Sequence, residues 1–341
     1  MDNVEKPLTK ITQILLQPED QYNELTEAID DLYRLFVSVS EIDLDTQENR
    51  NDIFVSNGKA IGATWAAICV KEILRTKRFI RGVYEGIKTA LERFDIRPLH
   101  IVYAGTGPFA ALAIPLTSVF SSEEISFTLL EINPTSIKAL KKVIKAFQVE
   151  DYIIKIVECD AAKYQLDKSR SVHMIITETM QNALQKEPQV AITMNLVPQM
   201  EQRGILIPQN ITIDAVLMSP EKNKDRMIGL TRTGEDYYRF LGRVFELDKE
   251  TAFKYSAMNW KKDESLCFPR VSIEIPQDIM QEYWQLCLFT EINVFEDVRL
   301  TNWQCSLNLP KKIMDMRQST AEKISFYYAM NDNPGLVYKM F

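Results

Sequence analysis

The chain has 341 residues, with 47 acidic against 40 basic side chains, two histidines and five cysteines. That length accommodates about two domains, and 46% apolar residues supply a packed core, so wholesale disorder is excluded. The net charge of −7 argues against a nucleic-acid binder, which needs a basic stripe to displace counterions. His100 and His173 stand alone, which leaves little for an imidazole metal site or a hydrolytic triad, and both read as strand-edge residues. No metal is expected. Cys69, Cys159, Cys267, Cys287 and Cys305 are odd in number and form no C-x-x-C pair, the pattern of reduced thiols in an intracellular, cytoplasmic protein.

Residues 1–95 read as an N-terminal helical region. The start, Met1 to Glu5, is acidic and lacks an apolar run, so no signal peptide is expected. Leu25, Ala28, Ile29, Leu32, Leu35 and Phe36 recur at helical spacing, with Glu24, Glu27, Asp30 and Asp31 mostly outside that stripe as a solvated face. A second helical stretch places Ile68, Glu72, Arg75, Phe79, Val83, Ile87 and Leu91 about a turn apart, ending near Phe94.

Over residues 96–204 strands and helices alternate. The uncharged run Pro98–Ser122 is long enough for a bilayer, but Gly105, Gly107, Pro108 and Pro115 interrupt it, so it reads as strand, glycine turn and helix rather than a membrane span. The expected order is strand Leu99–Tyr103, a helix around Ala110–Val119, strand Ile125–Leu130, a helix opened by Pro134, then strands Tyr152–Val157 and Val172–Thr177. Such alternation requires crossovers and predicts a doubly wound, Rossmann-like parallel sheet.

From residue 205 to 341 the pattern becomes β-type. Ile205, Ile207, Ile211, Ile213, Ala215 and Leu217 are followed by Val271 to Ile275, Leu286 to Val294, Leu307, Leu309 and Ile324 to Tyr328. Runs of strands without helices predict an antiparallel, β-barrel-like domain, interrupted by a polar helical insertion at about 219–260.

Chemistry concentrates in the parallel domain. The turn Ala104-Gly105-Thr106-Gly107 lets the backbone approach a ligand, and the helix expected after it presents free N–H groups to an anion. Glu131 ends the second strand, where an acid accepts the two hydroxyls of a ribose. Asp160 follows the third, in Glu158-Cys159-Asp160-Ala161, where a carboxylate can take an exocyclic amino group. A nicotinamide site lacks its third glycine, since position 110 is Ala, and a nucleoside triphosphate site lacks G-x-x-x-x-G-K-[ST]. The fourth strand runs into a loop carrying Glu178 and, nine residues on, Glu187. Two carboxylates converging on a planar guanidinium can fix its orientation; the plain alternative is one buried acid and one acid at a helix start.

This loop resembles the double-glutamate loop of the protein arginine methyltransferases, and the resemblance runs from about residue 69 to the C-terminus. Ala104-Gly105-Thr106-Gly107-Pro108-Phe109 is similar to the cofactor loop of the symmetric-dimethylating branch, and Lys71-Glu72-Ile73-Leu74-Arg75-Thr76 to the helix whose arginine grips the cofactor carboxylate. Gly204 to Pro208 resembles the start of the family's barrel, Thr301-Asn302-Trp303 its Thr-His-Trp loop, and the insertion its dimerisation arm. The resemblance implies S-adenosylmethionine as cofactor, held by Arg75, Ala104, Gly105, Thr106, Gly107, Glu131 and Glu158 or Asp160. It implies a guanidinium-bearing acceptor, arginine free or in a peptide, held by Glu178, Met180, Glu187, Asn302 and Trp303, with Glu178 and Glu187 catalytic, and a homodimer. Three departures bear on the acceptor. Asn302 replaces the histidine, the family's tyrosine-bearing helix has no clear match, with Phe54–Gly62 standing near its place, and Tyr103 stands where an acid is usual. A methyltransferase for an unrelated metabolite and a non-catalytic adaptor remain open alternatives.

Overall fold

The computed structural model describes residues 5–230, 236–256 and 266–341. Expectations that fall on Met1–Val4, on Trp260 and on the Cys267 thiol lie outside the described residues.

The chain opens with helices α1 (Glu5–Leu16) and α2 (Tyr22–Ser40). The first was not read from sequence; the second carries the expected stripe, with Leu25, Ala28, Ile29, Leu32 and Phe36 buried. After the short α3 (Gln47–Arg50), strands β1 (Ile53–Val55) and β2 (Gly58–Ala60) form an antiparallel hairpin where the family resemblance has a helix. The next helical stretch is not continuous. Helix α4 (Ala63–Ile68) passes through a 3₁₀ turn at Cys69–Lys71, and Glu72 is extended (ψ 95°) before α5 (Ile73–Arg93) begins.

The α/β unit follows as β3 (Leu99–Ala104), β4 (Ile125–Glu131), α6 (Pro134–Phe147), β5 (Ile153–Glu158), β6 (Met174–Thr177), α7 (Gln189–Leu196) and β7 (Ile205–Ile207). All five strands are parallel, in the order β5-β4-β3-β6-β7. Every residue of β3 and β4 is buried, as a sheet covered on both faces requires. Helix α6 starts as expected, with Pro134 in its first turn and the Asn133 side chain accepting N–H bonds from Thr135 and Ser136. The helix expected at Ala110–Val119 is absent: Ala110 adopts φ 44°, residues 107–113 are turns, and only a 3₁₀ segment, Ile114–Ser118, follows. Pro115 lacks the N–H that a helix would need and excludes the preceding turn's carbonyl. The parallel sheet also runs past the expected boundary at 204, because β7 pairs with β6.

The C-terminal unit comprises β8 (Asn210–Met218), α8 (Pro220–Met227), β9 (Tyr238–Asp248), α9 (Lys249–Ser256), β10 (Leu266–Cys267), β11 (Val271–Glu274), β12 (Gln285–Phe295), β13 (Val298–Leu300), β14 (Lys311–Asp315), β15 (Lys323–Met330) and β16 (Gly335–Met340). They form two antiparallel sheets, β13-β12-β8-β9 with β14 on β12, and β10-β15-β11 with β16 on β15. Phe245 of one sheet stacks on Tyr328 of the other at 4.6 Å and meets Phe268 edge-on. Two expectations fail here. The insertion is not helical throughout, because β9 occupies 238–248; two bulges in its pairing with β8 break the period-2 alternation that would have marked it. Leu307 lies in a 3₁₀ turn (Ser306–Asn308), and the strand begins only at Lys311. Among the described residues no helix is long and apolar enough to cross a membrane.

One continuous core joins these units. Phe36 of α2 is fully buried and stacks on Phe109 at 5.1 Å, with Phe147 of α6 at its edge, so the N-terminal helix supports the turn after β3. Phe36→Ala should destabilise the fold by about 3–5 kcal/mol, measured by urea unfolding with an unchanged m-value; a loss under 1 kcal/mol would mean that α2 contributes no support.

Candidate active site

The strand order reverses beside β3, and the crevice outside the carboxyl ends of β3, β4 and β6 is where such sheets take ligands. A cavity of about 530 Å³ occupies that place. Gly105, Thr106 and Gly107 form one wall, in which Gly105 (φ 73°) and Gly107 (φ 60°) use backbone conformations that side chains rarely adopt. At Gly105 a Cβ would stand 2.1 Å from the Thr179 methyl, so only glycine lets the two loops meet. Ala104 is buried at the strand end and does not line the cavity.

Glu131 is buried at the floor. Its carboxylate accepts N–H bonds from Gly107 (2.7 Å), Ile132 (2.9 Å) and Asn133 (2.8 Å). Burial pushes its pKa up and these bonds oppose the rise; the remaining lone-pair capacity faces the cavity. Asp160 lines the next wall with Cys159 and Ala161, its Oδ1 accepting from the Ala162 N–H at 3.0 Å. Glu158 is exposed and is not among the lining residues, so of the two acids weighed for that place Asp160 alone reaches the cavity.

At the opposite end stand Glu178 and Glu187. The Arg75 guanidinium, 9% exposed, donates to Glu178 Oε2 at 2.5 Å and to Glu72 Oε2 at 2.6 Å. Glu72 also accepts from the Ser306 N–H (2.7 Å) and Oγ (2.9 Å), which ties the barrel's 3₁₀ turn to the start of α5. The break in the helix at Glu72 is what turns this carboxylate toward both. Burial opposes the charge on Glu72, yet Arg75 and Ser306 together hold its pKa below the ordinary range. Burial pushes Glu178 up against the pull of Arg75, and its Oε1 is buried with no hydrogen-bond partner among the described residues. Burial, followed by the neighbouring Glu178 carboxylate, pushes Glu187 up to about 7. Met180 and Gln181 also line this end.

The loop between the two acids is strained and held from outside. Ala183, Leu184 and Lys186 have φ of 55°, 52° and 66°, conformations that cost of order 1 kcal/mol or more each in a non-glycine residue. Tyr328 donates to the Leu184 carbonyl (2.6 Å), Thr290 accepts from the Ala183 N–H (3.2 Å), and the Pro334 carbonyl accepts from the Lys186 N–H (2.8 Å). All three come from the barrel-like domain, which thereby sets the loop.

Asn302 and Trp303, expected at the acceptor end, lie elsewhere. Trp303 donates its indole N–H to Tyr237 (3.3 Å) and packs with Tyr237 and Phe289, while Ser306 and Leu307 reach the cavity instead. The turn places the chain three residues later at the site because Asn308 Oδ1 draws the backbone N–H groups of Gln304 and Cys305 back. His100 and His173 are buried structural residues: the His100 N–H donates to His173 Nδ1 at 3.0 Å, and burial holds the His100 pKa down at about 4. Sequence reasoning missed Asp52 and Lys59, which line the cavity from the hairpin segment, Trp65, which lines it from α4, and Glu72. The Asn57-Gly58 pair after Ile53-Phe54-Val55 is a hairpin signal that could have found the first group, and the i,i+3 spacing of Glu72 and Arg75 the last.

The high Glu187 pKa has a consequence for stability. Between its unfolded value near 4.5 and its folded value near 7 the native state holds the extra proton, so stability falls as pH rises through this window and levels off above it. Glu187→Gln should flatten that slope and stabilise the protein at pH 8 by up to about 3 kcal/mol, read from denaturant midpoints at pH 5 and 8; an unchanged slope would show that Glu187 ionises normally.

No protein-family profile matches the chain, and no curated protein sequence matches it. Its structure is similar to that of the Trypanosoma brucei PRMT1 enzyme-prozyme heterotetrameric complex with AdoHcy, at a TM-score of 0.50 and 12% identity, over 80% of this chain and 90% of that one. At that identity the likeness is one of fold: a Rossmann-like parallel sheet joined to an antiparallel β-barrel-like domain in this chain.

Proposed function

We propose that the protein is an S-adenosylmethionine-dependent N-methyltransferase whose acceptor is a guanidinium nitrogen. One observation carries the reading: a single cavity is walled at one end by the Gly105–Gly107 turn, Glu131 and Asp160, and at the other by Glu178 and Glu187. The AdoHcy of the structurally similar protein supports the choice of cofactor.

The first end fits an adenosyl group. Glu131 offers a fixed carboxylate for a vicinal diol, Asp160 an acceptor for an amino group, and Leu130, Ile132, Ala161 and Ile192 an apolar surface for the base. The bound cofactor supplies an electrophilic sulfonium methyl, whose carbon–sulfur bond breaks as the new carbon–nitrogen bond forms, the sulfur keeping the pair as a thioether. The chain's own task is positioning, which accounts for most of the rate in an in-line displacement. Glu178 and Glu187 both line this end, and Glu178 keeps one buried oxygen without a hydrogen-bond partner among the described residues, so a planar cation between the two carboxylates would satisfy two buried acids at once. Arg75 fixes Glu178 and is itself fixed by Glu72.

Calorimetry should detect S-adenosylmethionine binding in the wild type and at least a thirtyfold weakening in Glu131→Ala. Glu178→Gln and Glu187→Gln should each lower kcat/KM for a guanidino acceptor at least about 100-fold, near 3 kcal/mol, while cofactor affinity changes less than threefold. Because Glu187 must lose its proton to hold a cation, kcat/KM should rise with pH and level off above about 7. Full turnover in both glutamine variants would refute the clamp; a product methylated on oxygen or carbon would refute the acceptor.

A further inference from the structure

The hairpin β1–β2 has no part in the reading above, yet it closes one flank of the acceptor end. Asp52, Val55, Lys59 and Ala60 all line the cavity. The hairpin is seated on the loop between the two glutamates: the Lys59 N–H donates to the Lys186 carbonyl at 2.8 Å, and a Cβ on Gly58 would stand 2.4 Å from that oxygen. The Lys186 N–H meets the Pro334 carbonyl on the other side at 2.8 Å. Both backbone hydrogen-bonding groups of Lys186 are therefore taken, so an extended polypeptide cannot pair with this residue.

Lys59 brings a charge as well. Its ammonium is held by Asp52 Oδ2, whose other oxygen accepts from the Gly62 N–H at 3.1 Å, so the lysine is anchored with a side chain only 24% exposed. An ammonium has three donors, and Asp52 takes one. Lys59 is near enough to Glu187 for its charge to hold that carboxyl down against the effects that raise it. Across the acceptor end the cavity thus offers two carboxylates for a cation and, beside them, a fixed ammonium with donors to spare.

We infer that the acceptor is a small guanidino acid, with a guanidinium at one end and a free carboxylate at the other, and that Lys59 is the specificity-determining residue that takes the carboxylate. The inference rests on the guanidinium reading above and narrows it: an arginine within a polypeptide carries no carboxylate at that end.

Methyl transfer to free arginine, to its decarboxylated analogue agmatine and to an arginine-rich peptide with blocked ends tests it, in the wild type, Lys59→Met and Lys59→Arg. The wild type should favour arginine over agmatine at least about tenfold in kcat/KM, and over the peptide by more. Lys59→Met should bring the arginine-to-agmatine ratio close to one, mainly through KM for arginine, while Lys59→Arg keeps the preference. Turnover of agmatine by Lys59→Met also reports that this variant folds. Equal use of arginine and agmatine by the wild type, an unchanged ratio in Lys59→Met, or a preference for the peptide overturns the inference and leaves the guanidinium reading standing. Transfer to none of the three overturns both.

Discussion

A guanidinium buried between two carboxylates holds the molecule's parts in register. Arg75 lies on α5, Glu72 at the break before that helix, Glu178 at the end of the fourth sheet strand, and Ser306, which bonds Glu72, in the barrel-like domain. Taking such charges out of water costs several kcal/mol per ion, and the cost is offset only where geometry is close to ideal and every remaining donor and acceptor is used. Here the bonds are short, but the account is deliberately left open at one atom, Glu178 Oε1. With Glu187 beside it, the cluster holds three acids against one arginine. That balance is relieved either by a proton, which the raised Glu187 takes up to about pH 7, or by a cation.

The barrel-like domain belongs to the same logic. Three residues of the loop between the glutamates occupy left-handed backbone conformations without being glycine, and an isolated loop would relax out of them. Bonds from Tyr328 and Thr290, on strands remote in sequence, and from Pro334, in the turn before β16, replace what the loop loses locally. Tyr328 is in turn fixed by stacking on Phe245, so the packing between the two antiparallel sheets is transmitted to the carboxylates. The second domain acts as a jig for the site in the first.

Much of this was legible in the sequence where one physical signal dominated. The parallel strands announced themselves as short β-branched runs between helical segments, and Glu131, Asp160, Glu178 and Glu187 each followed such a run, so topology carried them to one edge. What stayed hidden depended on contacts distant in sequence. Strand β9 lost its alternation to two bulges that only its partner defines. The helix after the glycine turn gave way to Pro115 and to the left-handed Ala110, although the flanking alanines favour helix. Trp303 followed the motif but not the geometry: an N–H clamp on Asn308 set the turn, and the chain reached the cavity with Ser306 and Leu307. The hairpin did carry its own turn signal, which the family resemblance overshadowed.

The proton released in the proposed transfer needs an acceptor. A guanidinium nitrogen that gains a methyl must give up a proton, and the usual choice for that task is a histidine poised near neutrality. Neither histidine serves: both are buried in strand-end packing, away from the cavity lining, and burial lowers both pKa values. The position that the family resemblance assigns to a histidine is Asn302, which lies outside the cavity. Tyr103 lines the cavity, but burial pushes its phenol up, far from titration at neutral pH. Glu187 is the group with the right poise, because burial and the adjacent Glu178 raise it to about 7. A bound cation lowers it by the same Coulomb attraction that holds the cation, so Glu187 binds as an anion. On gaining the methyl the nitrogen carries an added positive charge and becomes strongly acidic, so the Glu187 carboxylate can take its proton and leave a monocationic methylguanidinium. The feature that makes the site costly to fold, two acids sharing a buried end with one arginine, is therefore also what, in the proposed transfer, would orient the acceptor and take its proton.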